Sequence, residues 1–505
     1  MEVREIAKLV TYIEENLRSS PAAGLPFVDS RHLQSRLLSR QNHVVFGRRG
    51  AGKTSLVHST RKSSGHVHVY LNFEDYKDIT FPNIVIHVLL RLLGSLESHV
   101  RSDIRWWRLR AHPAATVRRL RRTMAELTAY VHEPDAETQQ IETTEGYERE
   151  LTIGAESYGA MGAAKARHGA SRRLSRSLPR NKTDYLRLQL SSYKDILLAV
   201  SALFDEAPIF LVMDDFYFVQ KNTQPDLIDY FHRLTKGTQL YLKLATIKHR
   251  SKLYRRGRDQ YVGVELGHDI FEVDMDYTMD NFEELSSFMQ QLLRSATEQS
   301  GANVRVEQMF AGDGFSQLCL ASGGVPRDFL SLFVSLANAM AASGNPIGKM
   351  QVNETAIANL RSKMESMRRD SSNEDAVLDA CLRQIKKSVY DNRRTNAFLI
   401  SKDALESDSQ GRQAIRELVD LRLIHLVDHN TSRAPSDGQR YEAYILDVSL
   451  YDNPRPRNFT QIEPGWRDKS ARKDQLRASP VFSLNTLREV IQEMPGQLEL
   501  TLSDE

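Results

Sequence analysis

The sequence predicts an α/β fold. A parallel sheet carries a glycine-rich loop and holds a large helical, basic insertion. Helices follow it, then a small block of helices and strands near the C-terminus. Three stretches predict this. Residues 44–57, VVFGRRGAGKTSLV, place three glycines between an apolar run and Lys53-Thr54. Residues 208–216, PIFLVMDDF, put an apolar run ahead of two aspartates. Residues 240–248, LYLKLATIK, form a further apolar run that ends in polar side chains.

Glycine loses the most backbone freedom on folding, so three within six residues mark a place that something must approach closely. The spacing Gly47-x-x-x-x-Gly52-Lys53-Thr54 is the phosphate-loop signature. Backbone N–H groups along Gly47, Arg48, Arg49, Gly50, Ala51, Gly52, Lys53, Thr54 and Ser55 are expected to cradle a nucleotide's phosphates. The Lys53 side chain would reach the β- and γ-phosphates, and the Thr54 hydroxyl would ligate Mg²⁺. His43–Phe46 reads as a short buried strand, and a helix starts at the loop's end, with its positive dipole end toward the anion. A chance glycine turn would need neither neighbour.

The run at 208–216 reads as a buried parallel strand with carboxylates at its C-terminal end, where open α/β sheets bind ligands. Asp214 is expected to hold Mg²⁺ through water, and Asp215 to orient or deprotonate the attacking water. The competing reading, an edge strand ending in a solvated acidic turn, is disfavoured by the phosphate loop upstream. A strand at 66–74 alternates in polarity at its start, and another is expected at 270–276.

Composition sets bounds. The 505 residues allow two to four domains, and a formal charge of +3 leaves nucleic-acid affinity to local patches. Cys319 and Cys381, the only cysteines, sit in apolar helical contexts and suit a reducing cytoplasm. The N-terminal MEVREIAKLVTYIEENL reads as a charged amphipathic helix, not a signal peptide, and no apolar run is long enough to span a bilayer.

The insertion spans 76–183. It contains an apolar helix from Pro82 to Leu96 and an arginine-rich part, RWWRLRAHPAATVRRLRR. An acidic part (133–150) and a Gly/Ala/Ser-rich basic part (154–182) follow, both expected to be loose. Between Arg101 and Arg122 stand eight arginines against one acid, with two tryptophans among them. Arg105, Trp106, Trp107, Arg118, Arg119, Arg121 and Arg122 are therefore candidate nucleic-acid contacts, through phosphate pairing and base stacking. A solvated helix face paired with the acids at 133–150 is the other reading. "RNKTD" contains the guanine-reading spacing Asn181-Lys182-x-Asp184. It precedes the acidic strand and lacks a strand of its own, so Thr183 or Asp184 reads as a helix cap, and adenine is the expected base.

Phosphate loop, acidic strand, polar-ended strand and "GGVPR" in this order resemble AAA+ and STAND-type P-loop ATPases, closest to the origin-recognition and MNS-like groups. The resemblance covers about 25–75 and 184–450. It implies a P-loop NTPase core over 1–280, a helical lid over 281–370 and a winged-helix domain over 371–455, read as three helices then two strands. The Pro- and charge-rich tail over 456–505 is expected to be loose except for an amphipathic helix around Leu484 to Glu493. It implies Thr246 as a γ-phosphate sensor, Gly324 and Pro326 near adenine, and Arg327 as a lid arginine on the γ-phosphate. Arg255 or Arg256 would be a finger reaching a neighbouring subunit. Asp215 stands where fast motors of this kind carry glutamate, which implies slow hydrolysis. The function expected is an ATP- and Mg²⁺-dependent switch that forms homo-oligomers with ATP and acts on DNA. The alternative is a signalling or defence ATPase whose partners are proteins.

Overall fold

Short apolar runs build the central sheet. The computed structural model describes residues 3–17, 24–63, 66–102, 113–131, 182–256, 261–361, 363–365, 375–463 and 469–492. Strands β1 (His43–Phe46) and β3 (Ile209–Asp214) are buried along their whole length, and β4 (Leu240–Thr246) nearly so. Such runs suit a parallel sheet covered on both faces. β2 (Val67–Asn72) alternates buried and half-buried positions and forms one edge, and β7 (Phe271–Asp274) forms the other. The order is β2-β3-β4-β1-β7, and every pair is parallel. This five-stranded sheet with flanking helices fits an α/β P-loop NTPase fold. β4 lies between the phosphate-loop strand and the acidic strand, so the ends of three strands converge beside the loop.

The pleat divides the core. Val45, Phe210, Val212, Ala245 and Val273 face one side, against helices α2 (Leu33–Leu37) and α3 (Lys53–Ser63). Val44, Phe46, Val69, Leu211, Met213 and Leu244 face the other. There α4 (Asn83–Ser102), α5 (Pro113–Val131), α6 (Lys182–Leu203) and α7 (Gln224–Thr235) supply the apolar cover. β5 (Tyr254–Arg256) and β6 (Tyr261–Gly263) form a separate antiparallel ribbon.

Four helices, called the lid below for their place over the loop, are α8 (Phe282–Ser300), α9 (Gly314–Ala321), α10 (Pro326–Ser343) and α11 (Lys349–Ala358). Pro326 opens α10, where its missing N–H costs nothing. The C-terminal block holds α12 (Asp375–Lys386), β8 (Ala397–Ser401), α13 (Lys402–Ser407), α14 (Ser409–Asp420), β9 (Ile424–Thr431) and β10 (Tyr441–Leu446). Its sheet is antiparallel, in the order β8-β10-β9. Lid, C-terminal block and the N-terminal helix α1 (Val3–Asn16) share one apolar core.

Several expectations need correction. The block contains a strand, β8, that the three-helix, two-strand reading missed. Residues 456–463 and 469–483 are not loose, and the helix expected around Leu484 to Glu493 spans Asn485–Gln492. The Phe482 N–H donates to the Leu399 carbonyl at 2.8 Å, and Leu484, Leu487 and Ile491 are buried. α6 begins at Lys182, so Thr183 and Asp184 lie in its first turn, not at a cap. Lys182 is buried and donates to Asn83 Oδ1 at 2.9 Å, which takes it out of any base-reading role. Arg105, Trp106, Trp107 and the stretches 133–150 and 154–181 lie outside the described residues. Among the described residues no helix is long and apolar enough to cross a membrane.

Beneath the block lies a buried ion pair. Lys363 Nζ stands 2.9 Å from Asp447 Oδ1, and His425 Nε2 stands 2.8 Å from Asp447 Oδ2. Burial alone would raise the Asp447 carboxyl, but Lys363 and His425 more than offset it and hold it well below the usual range. Lys363→Met should therefore cost about 3–5 kcal/mol by stranding a buried charge, as read by urea unfolding. A carboxyl depressed in the folded state contributes stability that is full at neutral pH. The wild-type advantage over this variant should shrink as pH falls below about 4.

Candidate nucleotide site

The loop after β1 turns on two left-handed glycines, Gly50 at φ 88° and Gly52 at φ 96°. Lys53 is buried, and its ammonium donates to the Gly47 carbonyl at 2.8 Å and the Arg48 carbonyl at 3.2 Å. An anion entering the loop would exchange these neutral acceptors for charged ones and turn an ion–dipole contact into an ion pair. The Thr54 hydroxyl donates to Asp214 Oδ2 at 2.8 Å, and the Tyr70 hydroxyl donates to the same oxygen at 2.9 Å. Asp214 Oδ1 accepts from the Asp215 N–H at 3.0 Å. Thr54 and Asp214 thus bring two hard oxygen donors together at the loop's helical end, the donor set Mg²⁺ takes.

A cavity of about 650 Å³ opens in front of the loop. Arg49, Gly50, Ala51, Gly52, Lys53, Thr54 and Ser55 line one wall, with Asp215, Pro326 and Arg327 facing them. Leu25, Phe27, Val28, Phe288, Leu292 and Leu330 make an apolar wall beyond. An apolar slot joined to an anion-binding loop matches the two halves of a nucleotide, base and phosphates.

Asp215 sits at φ 52°, a left-handed conformation uncommon for a residue with a side chain. Burial, and then the charge of Asp214, push its carboxyl up to about 6, with Lys53 opposing. Burial and the neighbouring Arg49 guanidinium disfavour the charged form of Arg327. A partly buried cation pair of this kind gains from taking up an anion.

The loop's glycines do more than approach phosphate. A Cβ on Gly50 would stand 2.9 Å from Arg327 Cβ, and the Arg327 N–H donates to the Gly50 carbonyl at 3.3 Å. The lid therefore rests directly on the loop. Gly324, at φ 76°, packs against the Tyr277 carbonyl, which a Cβ would meet at 2.5 Å.

Other expected residues lie elsewhere. Gly47 and Arg48 line a second cavity on the loop's far side, and the Arg48 side chain points into the lid, away from the nucleotide cavity. Thr246 is fully buried and bonded to the Ser251 hydroxyl, outside the cavity lining. Arg255 Nη2 pairs with Asp226 at 2.8 Å in the same chain, and Arg256 lies exposed on β5. On α5, Arg121 pairs with Glu97 at 2.7 Å, Arg122 with Glu126 at 2.9 Å and Arg119 with Asp195 at 3.6 Å. Arg118 Nε donates to the Ala114 carbonyl at 3.3 Å. Among the described residues, the acids that meet these arginines are Glu97, Glu126 and Asp195.

Sequence reasoning missed Tyr70, Asp276 and the Leu25–Val28 wall. Asp276 accepts the Arg48 N–H at 2.9 Å and so holds the loop's entry. Its place just past a strand end was the one signal available. Tyr70 and Phe27 carried none.

Two outcomes test this geometry. Asp215→Asn should retain nucleotide and lose turnover. In the wild type, kcat/KM should rise with pH through about 6 as the Asp215 carboxyl ionises. A rate-pH profile that keeps this limb in the asparagine variant assigns it to another group. Gly50→Ala should destabilise the fold by about 1–3 kcal/mol, through backbone strain and the clash with the lid, and should weaken nucleotide binding measured by calorimetry.

No protein-family model matches the chain, and no curated protein matches it. Solved structures resemble it weakly, two of them as follows. The Walker-type ATPase PABY2304 of Pyrococcus abyssi matches at 12% identity and TM-score 0.36, over 84% of this chain and 94% of that one. Drosophila ORC bound to DNA matches at 11% identity and TM-score 0.34, over 88% of this chain and 89% of that one. At such scores neither carries an argument about this protein, whose reading rests on its own sheet, loop and cavity.

Proposed function

We propose that this chain is an ATP-binding, slowly hydrolysing switch ATPase of the AAA+/STAND kind that self-associates with ATP and acts on DNA. One observation carries the nucleotide reading. A single cavity unites the phosphate loop, Lys53, Thr54, Asp215 and the lid's Arg327 with an apolar slot. The bound Mg²⁺ would neutralise charge that develops on the phosphates. Thr54 and Asp214 would hold it, Lys53 would bind the β- and γ-phosphates, and Asp215 would take a proton from the attacking water. A carboxyl raised toward neutrality suits a general base, and the short aspartate arm at a constrained φ supports slow turnover. Adenine is the base, since Lys182 is committed to Asn83.

The remaining assignments are part of the same proposal. Helix, strand, two helices and two strands over 375–446 support a winged-helix domain behind the lid, and the cytoplasm suits two buried free cysteines. Arg256, exposed on its ribbon, is the better finger toward a neighbouring subunit, because Arg255 is held by Asp226. Pairing of the α5 arginines within the chain favours the second reading, a signalling ATPase with protein partners, for that helix.

Lys53→Ala should abolish ATP binding in calorimetry and with it any ATP-dependent rise in mass. Arg256→Ala should lower turnover and leave nucleotide affinity unchanged. Wild-type turnover per molecule that is independent of protein concentration, with a monomeric mass in ATP throughout, would remove self-association from the proposal.

A further inference from the structure

On the far side of Tyr70 from the nucleotide cavity lies an open groove of about 470 Å³, between the end of α3, β2 and α4. Arg61 and Arg91 stand on its walls with His68, and no acid lines it. Arg91, Ser95, Ser98 and Ser102 are spaced four, three and four apart, which places them on one stripe of α4. That stripe runs roughly 16 Å. Both arginines are exposed, and neither has an acidic partner among the described residues. The nearby Glu97 is spent on Arg101 and Arg121, at 3.8 and 2.7 Å. Burial, and then the positive field of His66, Arg61 and Lys243, push the His68 imidazole down to about 4.

The contrast with α5 decides which cations are available. The α5 arginines meet acids or a carbonyl of their own chain, whereas Arg61 and Arg91 meet no acid among the described residues. Arginine and serine are common contacts to phosphate oxygens, and they carry no base sequence in themselves. A long open stripe of such donors fits a run of phosphates better than one isolated phosphate group.

We propose that this groove binds the phosphodiester backbone of DNA, and that Tyr70, which lines both the groove and the nucleotide cavity, transmits its occupancy to Asp214. The link is direct. Tyr70 forms part of the groove wall while its hydroxyl donates to Asp214 Oδ2 at 2.9 Å, the oxygen that also takes the Thr54 hydroxyl. A phosphate strand that shifts the Tyr70 ring alters one of the two hydroxyl bonds orienting the metal-site carboxylate. Tyr70 is a positioning residue. The inference rests on the ATPase reading only for this coupling, since DNA binding needs no nucleotide.

The test uses the full chain and a fluorescein-labelled DNA duplex of about 30 base pairs, with anisotropy read without nucleotide over a series of salt concentrations. Arg61→Gln with Arg91→Gln should weaken binding and flatten the log–log salt slope by about one per arginine. Arg121→Gln with Arg122→Gln should leave the slope unchanged. Arg61→Glu with Arg91→Glu, checked for an unchanged melting temperature, should abolish binding at low salt. Tyr70→Phe should bind DNA as the wild type does and lose the DNA-dependent change in ATP turnover. Absence of duplex binding at low salt overturns the proposal, as does an unchanged slope in the groove variant. Retention of inorganic polyphosphate without DNA also overturns it. A DNA-dependent turnover change that survives in Tyr70→Phe overturns the coupling. Failure of ATP turnover with groove-dependent DNA binding intact would instead count against the ATPase reading alone.

Discussion

The buried guanidinium of Arg48 is the interaction on which the arrangement around the nucleotide cavity depends. It is 7% exposed and donates to the Gly323 carbonyl at 2.8 Å and the Tyr277 carbonyl at 3.1 Å. Its Nε stands 3.4 Å from Asp276. A buried charge without such partners would cost several kcal/mol, so loop, strand end and lid are held together by the need to satisfy it. The left-handed Gly323 and Gly324 let the lid's chain come close enough to offer those carbonyls. Arg327 then reaches the cavity because the segment before it is pinned.

The second constraint is electrostatic. Asp214 and Asp215 are neighbours in a largely buried site, and two adjacent carboxylates resist being ionised together. Their environments separate them. Asp214 accepts two hydroxyl hydrogen bonds and one N–H, while Asp215 carries the raised carboxyl. Two residues that are identical and adjacent in sequence are thereby given different surroundings by local hydrogen bonding and burial.

Legibility in the sequence followed the range of the interaction. The phosphate loop could be read because its glycines answer a local backbone demand, and β3 because a strand buried on both faces must be apolar throughout. The cavity's polar residues from Arg49 to Ser55 and Asp215 came with them. β8 was missed because AFLIS is short and follows directly on a helical stretch, so periodicity could not separate it. Apart from the helix near Leu484 to Glu493, the tail looked loose because its apolar residues are sparse, yet Phe482 finds a surface made by β8 and its neighbours. Arg48 was read as a loop residue facing phosphate. Its true partners, the carbonyls of Tyr277 and Gly323, lie far along the chain, where sequence spacing says nothing. The α5 arginines looked like a free cationic patch because Glu97 and Asp195, on other helices, are invisible to a local charge count.

The N-terminal helix has a consequence for how the molecule is made. Ile6, Leu9, Val10 and Ile13 are buried in the same core as Phe288, Leu292 and Leu330, not against the sheet that follows them in sequence. Those partners emerge from the ribosome only after the entire sheet has been synthesised. The apolar face of the first helix must stay uncovered throughout that interval, and ordering by long-range contacts of this kind is slow. The sheet can assemble as its strands appear, whereas the apolar wall of the cavity closes only when the two distant parts of the chain meet. During synthesis the glycine-rich loop is therefore complete before the apolar wall beside it.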